Sequence, residues 1–180
     1  MRAPTPSQPS AAAGPLPRGT FALTTRAFIP RPVDEVFRFF GDAHNLDILT
    51  PPFLHFRVLT PPPIEMRAGT LIDYRLRLRG VPITWRTHIA VWEPGCRFVD
   101  EQVRGPYRSW VHTHTFRPAA GGTLMDDDVR YRVPGGALVH RWLVAGDVLR
   151  IFRYRQQALR DVFGCGTSTA DEDPRITRLA

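Results

Sequence analysis

Lysine is absent: all 24 basic side chains are arginine. A Schiff-base lysine and a P-loop lysine are therefore excluded. Cysteine is almost absent as well. Cys96 and Cys165 stand far apart and make neither a disulfide framework, a zinc site nor a redox motif. No apolar run reaches membrane-spanning length. Residues 1–19 carry Pro, Ala and Ser where a signal peptide needs an apolar stretch. The expectation is a cytoplasmic protein without membrane insertion. The arginines behind the formal charge of +7 are scattered, which reads as a solvated surface. No nucleic-acid partner is expected, although Arg75, Arg77, Arg79 and Arg86 face outward together and would give steeply salt-dependent binding if they met one.

What is present points to one folded unit. The chain has 180 residues and 43% hydrophobic content, enough for a single domain with a real core. Residues 1–19 read as a disordered Pro/Ala-rich tail, 20–163 as the folded domain, and 164–180 as a second flexible tail with the acidic run Asp171-Glu172-Asp173.

Residues 20–29 are rich in Thr and Phe and read as a strand. Pro32 then suits a first helical turn, with Asp34 and Glu35 following and Val33, Val36, Phe37 and Phe40 forming one apolar stripe. Gly41 ends that helix, and Asp42 caps a second short helix through Leu49. Six strand-like segments follow, near 53–59, 69–79, 81–93, 96–104, 107–117 and 122–133, separated by Pro/Gly breaks. Short breaks favour antiparallel neighbours. Ile72, Tyr74, Leu76 and Leu78 alternate with Asp73, Arg75, Arg77 and Arg79, so one face is buried and one is wet. A long helix over about 138–163 carries Leu138, Trp142, Ala145, Leu149, Phe152, Leu159 and Phe163 at helical spacing, with Gln156 interrupting the stripe. Trp142 reads as core. The class is α+β: a seven-stranded antiparallel sheet needs a cover, and only the last helix is large enough.

Residues 98–116 carry the strongest functional signal. Phe98, Asp100 and Gln102 share one face before the Gly105-Pro106 break; Trp110, His112, His114 and Phe116 share one face after it. Trp85, Thr87, Ile89 and Val91, and then Met125, Asp127, Val129, Tyr131 and Val133, are expected to continue that face. Rings interleaved with Asp, Gln and His suit a pocket lining better than a dry core. An Asp beside a His orients the imidazole and raises its basicity, so His112, His114, Asp127 and Asp100 are the candidate catalytic groups, able to act as a general base. A purely structural His–Asp network is the competing reading. His-x-His with a neighbouring Asp can also hold a metal, but polar pairing is favoured, and neither metal nor cofactor is expected. Asp126-Asp127-Asp128 lacks the Gly and Glu of a calcium loop.

The element order resembles the helix-grip fold of the START-like superfamily, also called SRPBCC or the polyketide cyclase/dehydrase group. Pro32-Val33-Asp34-Glu35-Val36-Phe37 is similar to the family's first-helix opening, Leu49-Thr50-Pro51-Pro52 to the end of the second helix in a bacterial branch. Gly105-Pro106-Tyr107 with Trp110, His112 and His114 resembles that branch too, as does Gly122-Thr123 followed by Asp127, Val129, Tyr131 and Pro134. Arg31 departs from the Ser or Thr cap common there. The resemblance implies two short helices after strand 1 and a curved sheet wrapped around the C-terminal helix, with a cavity between. It implies an apolar guest: a lipid, a polyketide or similar. The expected lining is Tyr74, Leu76, Trp85, Thr87, Phe98, Gln102, Trp110, Phe116, Val129, Tyr131, Leu149 and Phe152, with His44, Asn45, Leu46 and Pro61-Pro62-Pro63 at the rim. A small-molecule binding protein, a cyclase or aromatase using a His/Asp base, and a protein-interaction module (some bacterial relatives join this domain to an epimerase-like partner) all remain open. A homodimer or protein partner is compatible with each.

Overall fold

The computed structural model describes residues 16–180; the N-terminal tail expected over 1–19 lies almost wholly outside the described residues. Strand β1 (Phe21–Ile29) leads to helix α1 (Val33–Phe40), two 3-10 turns (Ala43–Leu46 and Pro52–Leu54), and the strands β2 (Arg57–Val58), β3 (Leu71–Leu78), β4 (Val81–Glu93), β5 (Arg97–Arg104), β6 (Ser109–Ala119) and β7 (Gly122–Arg132). A short helix α2 (Gly136–Val139), a π-helical turn (His140–Val144) and helix α3 (Ala145–Phe163) form one continuous rod of 28 residues, followed by β8 (Glu172–Arg178). All eight strands make a single sheet ordered β2-β3-β4-β5-β6-β7-β1-β8. The curved antiparallel sheet, the long C-terminal helix and the short helices are those of the helix-grip fold.

Tight turns set the register. Leu78 pairs with Val81 across the β3–β4 hairpin and Ala119 with Gly122 across β6–β7, so the parity of each strand follows from its neighbour. Gly122 is required by close approach: a β-carbon there would stand 2.2 Å from the Ile29 carbonyl oxygen. Helix α1 buries Val36, Phe37 and Phe40 against Phe98, Phe116 and Phe163. The rings of Phe37 and Phe116 meet edge-on at 5.2 Å, and each such side chain contributes about 2 kcal/mol by leaving water.

Four expectations are corrected. The segment 164–180 is not a loose tail. After Gly164 ends α3 in the left-handed region, the chain returns as β8 and pairs antiparallel with β1, which makes the sheet eight-stranded rather than seven-stranded. Gln156 explains the attachment: its amide Nε2 donates to Thr25 Oγ1 at 2.7 Å, to the Arg26 carbonyl at 3.0 Å and to the Glu172 carbonyl at 2.8 Å, joining α3 to both strands. Second, the short helix expected through Leu49 is a 3-10 turn ending at Leu46, and the strand expected over 53–59 shrinks to Arg57–Val58. Third, a bulge between Ile89 and Val91 shifts β4 by one residue, so Trp92 instead of Val91 pairs with Phe98 and packs by Phe37. Fourth, the π-helical turn adds a residue to one turn of the rod, rotating everything upstream relative to α3. Leu138 and Trp142 are thereby 72% and 68% exposed, while His140 turns inward to stack on Phe21 at 3.5 Å and to meet the Tyr131 hydroxyl at 2.8 Å.

Candidate functional site

Between the sheet and α3 lies a cavity of about 180 Å³. Its apolar wall comes from Leu76, Trp85, Trp110 and Ile89 on the sheet and from Val148, Ile151 and Phe152 on α3. Trp85 and Trp110 meet edge-on at 5.6 Å, and Tyr74 stacks on Trp85 at 5.9 Å. Thr87 serves both polar tips: its hydroxyl accepts from the Trp85 indole N–H at 3.1 Å and lies 3.0 Å from the Tyr74 hydroxyl. With these polar atoms satisfied, the Tyr74 and Trp85 rings present apolar faces to the cavity.

The polar end is built across three strands. The register sets Asp100 opposite His112, and His114 opposite Asp127. The hydrogen bonds run diagonally instead: His112 Nε2 lies 2.8 Å from Asp127 Oδ1, and His114 Nε2 lies 3.0 Å from Asp100 Oδ2. Each imidazole also brings its other nitrogen near the second carboxylate, His114 Nδ1 at 2.8 Å from Asp127 Oδ1 and His112 Nδ1 at 3.6 Å from Asp100 Oδ2. The two imidazole centroids are 3.7 Å apart. Asp100, His112 and His114 reach the cavity, whereas Asp127 is buried behind them.

A fifth member, Arg155, was missed from the sequence. It projects from α3 into the cavity wall and is only 8% exposed. Its Nη2 lies 3.3 Å from His114 Nδ1 and its Nε 3.3 Å from Asp127 Oδ2. The second contact is an ion pair by distance only, because the Nε–H has no hydrogen-bond acceptor. Burial alone would raise the Asp127 carboxyl, but Arg155, His112 and His114 outweigh it and hold that group well below the ordinary carboxylate range. Asp100 is lowered by the same balance: burial opposes, and the His114 hydrogen bond with the nearby cations prevails. Burial and the neighbouring His114 depress His112, against the pull of both carboxylates.

Of the expected lining, Tyr74, Leu76, Trp85, Thr87, Phe98, Trp110 and Phe152 face the cavity. Gln102 instead clamps its own hairpin, donating to the Tyr107 carbonyl at 2.8 Å and accepting from the Tyr107 N–H at 3.2 Å. Phe116 packs under α1, and Val129, Tyr131 and Leu149 belong to the core around Phe21. The rim holds Asn45 and Leu46 as expected; His44 and Pro61-Pro62-Pro63 stand away from it, and Asp42 and Met66 are there instead. Two contacts strap the loops to α3 beside the cavity: Arg150 lies over the Phe53 ring at 3.7 Å, and Arg79 bonds Asp147 at 2.9 Å.

A sheet gripping a terminal helix around a partly polar cavity defines a START-like protein. The family described as polyketide cyclase / dehydrase and lipid transport matches residues 29–160, and the chain belongs to it. No curated protein matches. Solved structures agree on the fold. Ginseng major latex-like protein 151 from Panax ginseng is 12% identical with a TM-score of 0.61, covering 81% of this chain and 98% of that one. The di-domain ARO/CYC StfQ from the steffimycin biosynthetic pathway is 14% identical with a TM-score of 0.57, over 81% of this chain and 52% of that one. A nucleoside-diphosphate sugar epimerase from Corynebacterium glutamicum is 29% identical with a TM-score of 0.59, over 77% of this chain but only 28% of that one. Among the described residues no helix is long and apolar enough to cross a membrane.

Proposed function

We propose that the protein binds a small hydrophobic molecule carrying one polar oxygen, with its apolar body between the sheet and α3 and the oxygen at the His112/His114/Arg155 end. The observation that carries this reading is the division of the cavity, with aromatic and aliphatic walls on one side and a concentrated set of buried polar groups on the other. Ligand sites generally combine an apolar lining with a few placed polar groups. A cavity of about 180 Å³ is close to one that accepts a single aromatic ring, on the order of 150 Å³. A guest of one or two rings fits; a longer acyl or polyketide chain requires the Phe53–Arg150 and Arg79–Asp147 straps to part. Native mass spectrometry of the purified protein, followed by extraction of whatever copurifies, tests the reading. A stoichiometric apolar adduct supports it, and an empty protein that also refuses small aromatic guests contradicts it.

The cyclase reading is favoured by one specific feature: each imidazole lies against an ionised carboxylate at the cavity end. In that role His112 or His114 takes the proton next to a ketone, and the Arg155 guanidinium stabilises the enolate oxygen. Turnover of a short poly-β-ketone, lost in His112→Ala with binding retained, supports catalysis; undiminished turnover in that variant rejects it.

A further inference from the structure

We propose that Asp100, His112 and His114 form a binding site for one divalent first-row transition ion of the Zn2+ type, with an open coordination position facing the cavity. His-x-His spacing by itself favours polar pairing; the three-dimensional arrangement adds four observations. First, the donor spacing fits. Asp100 Oδ2 lies 3.0 Å from His114 Nε2 and 3.6 Å from His112 Nδ1, which brackets the separation of about 3.4 Å between ligands of a tetrahedral ion with bonds near 2.1 Å. One donor atom from each of the three residues lies within 4.8 Å of the others, and rotation of the imidazoles closes the remaining edge. Second, the outer partner is in place. The two nitrogens that would not ligate, His112 Nε2 and His114 Nδ1, both stand 2.8 Å from Asp127 Oδ1. A carboxylate accepting from the distal N–H of each ligand histidine fixes its tautomer and ring orientation.

Third, the charge is unbalanced. The buried Asp127 carboxylate and the partly covered Asp100 carboxylate, with side chains 4% and 17% exposed, face one guanidinium, which leaves one negative charge over when both imidazoles are neutral. Charge removed from water demands a counter-charge; a divalent ion at Asp100 supplies it and leaves one positive charge over, which favours an ionised water or an anionic guest oxygen at the open position. Fourth, the Arg155 Nε–H is buried without an acceptor, and Asp127 Oδ2 stands beside it at 3.3 Å. Movement of the imidazoles toward an ion lets that carboxylate swing to meet it. Ligation moves the His114 hydrogen from Nε2 to Nδ1, directed at Asp127, and the N–H of Arg155 Nη2, which lies 3.3 Å from Nδ1, turns to the Asp127 carboxylate instead. Two nitrogens and one oxygen suit Zn2+, Fe2+ or Co2+ rather than Ca2+ or Mg2+. Three protein ligands leave a position for water or for the polar oxygen of a guest.

The site shares its wall with the guest-binding reading, and the experiment separates the two. Chelator-stripped protein is titrated with Zn2+ by calorimetry and with Co2+ by visible absorption, and an apolar fluorescent probe reads the cavity in parallel. The expected result is one equivalent of ion and a single Co2+ spectrum. Asp100→Asn with His114→Gln abolishes the uptake, and Asp127→Asn weakens it by about 10–100-fold. His44→Ala, at the exposed His44–Asp42 pair, leaves it unchanged. Probe binding confirms that each variant retains its cavity. Absence of saturable uptake, or uptake unaltered by the double substitution, overturns the metal site while leaving guest binding standing. Ion uptake in a protein that takes up no probe has the opposite meaning.

Discussion

Replacing Arg155 with Met keeps the length of the side chain and removes its charge. Asp127 then stays buried, 4% exposed, with two imidazoles but no guanidinium. Breaking a buried ion pair from one side costs about 3–5 kcal/mol. The His112 and His114 contacts remain, so the lower end applies, about 3 kcal/mol. For a domain of this size that corresponds to a melting shift of roughly 6–12 °C. The pH dependence carries the diagnostic sign. Asp127 has a depressed value in the fold, so its contribution is present above its unfolded value, about 3.9, and is lost as pH falls through the lower folded one. In Arg155→Met the folded value rises, and the acid limb of the stability curve moves to higher pH. Calorimetric melting between pH 3 and 8 reads both effects. Adding Asp127→Asn to Arg155→Met should recover part of the loss, because the uncompensated charge is gone. If Arg155→Met melts within a degree of the parent at every pH, or if the second substitution only worsens it, the buried ion network is not what holds this end of the cavity.

Gln156→Leu removes three hydrogen bonds that join α3 to β1 and β8 and should cost about 2 kcal/mol; hydrogen exchange should show β8 amides losing protection before those of β6 and β7. Burial lowers His140, so its folded form resists protonation and stability declines as pH falls below the unfolded value near 6.5. His140→Gln, which cannot titrate, should flatten that part of the curve in denaturant melts at pH 5 to 8. Trp142→Ala should change stability by less than about 0.5 kcal/mol because the ring is exposed, whereas Phe152→Ala should cost about 3–5 kcal/mol; equal losses in urea melts would contradict the rotated rod.

Much of the grip was readable because its strands alternate and its hairpins are short. The row 72, 74, 76, 78 and the row 110, 112, 114, 116 needed only parity and tight turns, and both fall as expected. Parity failed at β4 past Ile89, since a bulge leaves no mark in composition. Trp142 was misplaced for a similar reason: an extra residue in one helical turn re-phases a stripe that looks regular on paper. β8 was hidden by its acidic and Pro-containing sequence, which resembles a tail until Gln156 and β1 supply partners. Arg155 stands among exposed Arg150 and Arg153 on the same helix, so its type is uninformative. Its spacing from Phe152 and Leu159 places it on the buried stripe, and that signal was available. The pairing of both histidines with both carboxylates followed from register; which nitrogen meets which oxygen did not, because rotamers decide it.

Occupancy of the cavity is tested most directly by the indole N–H resonances of the four tryptophans during titration with a small aromatic alcohol. Trp85 and Trp110 line the cavity, while Trp142 stands exposed on the rod as an internal control. The expected result is saturable, one-to-one shifts at Trp85 and Trp110 with Trp142 unmoved. Shifts confined to Trp142, or no shift at all across a panel of one- and two-ring guests, would contradict a binding cavity between sheet and helix.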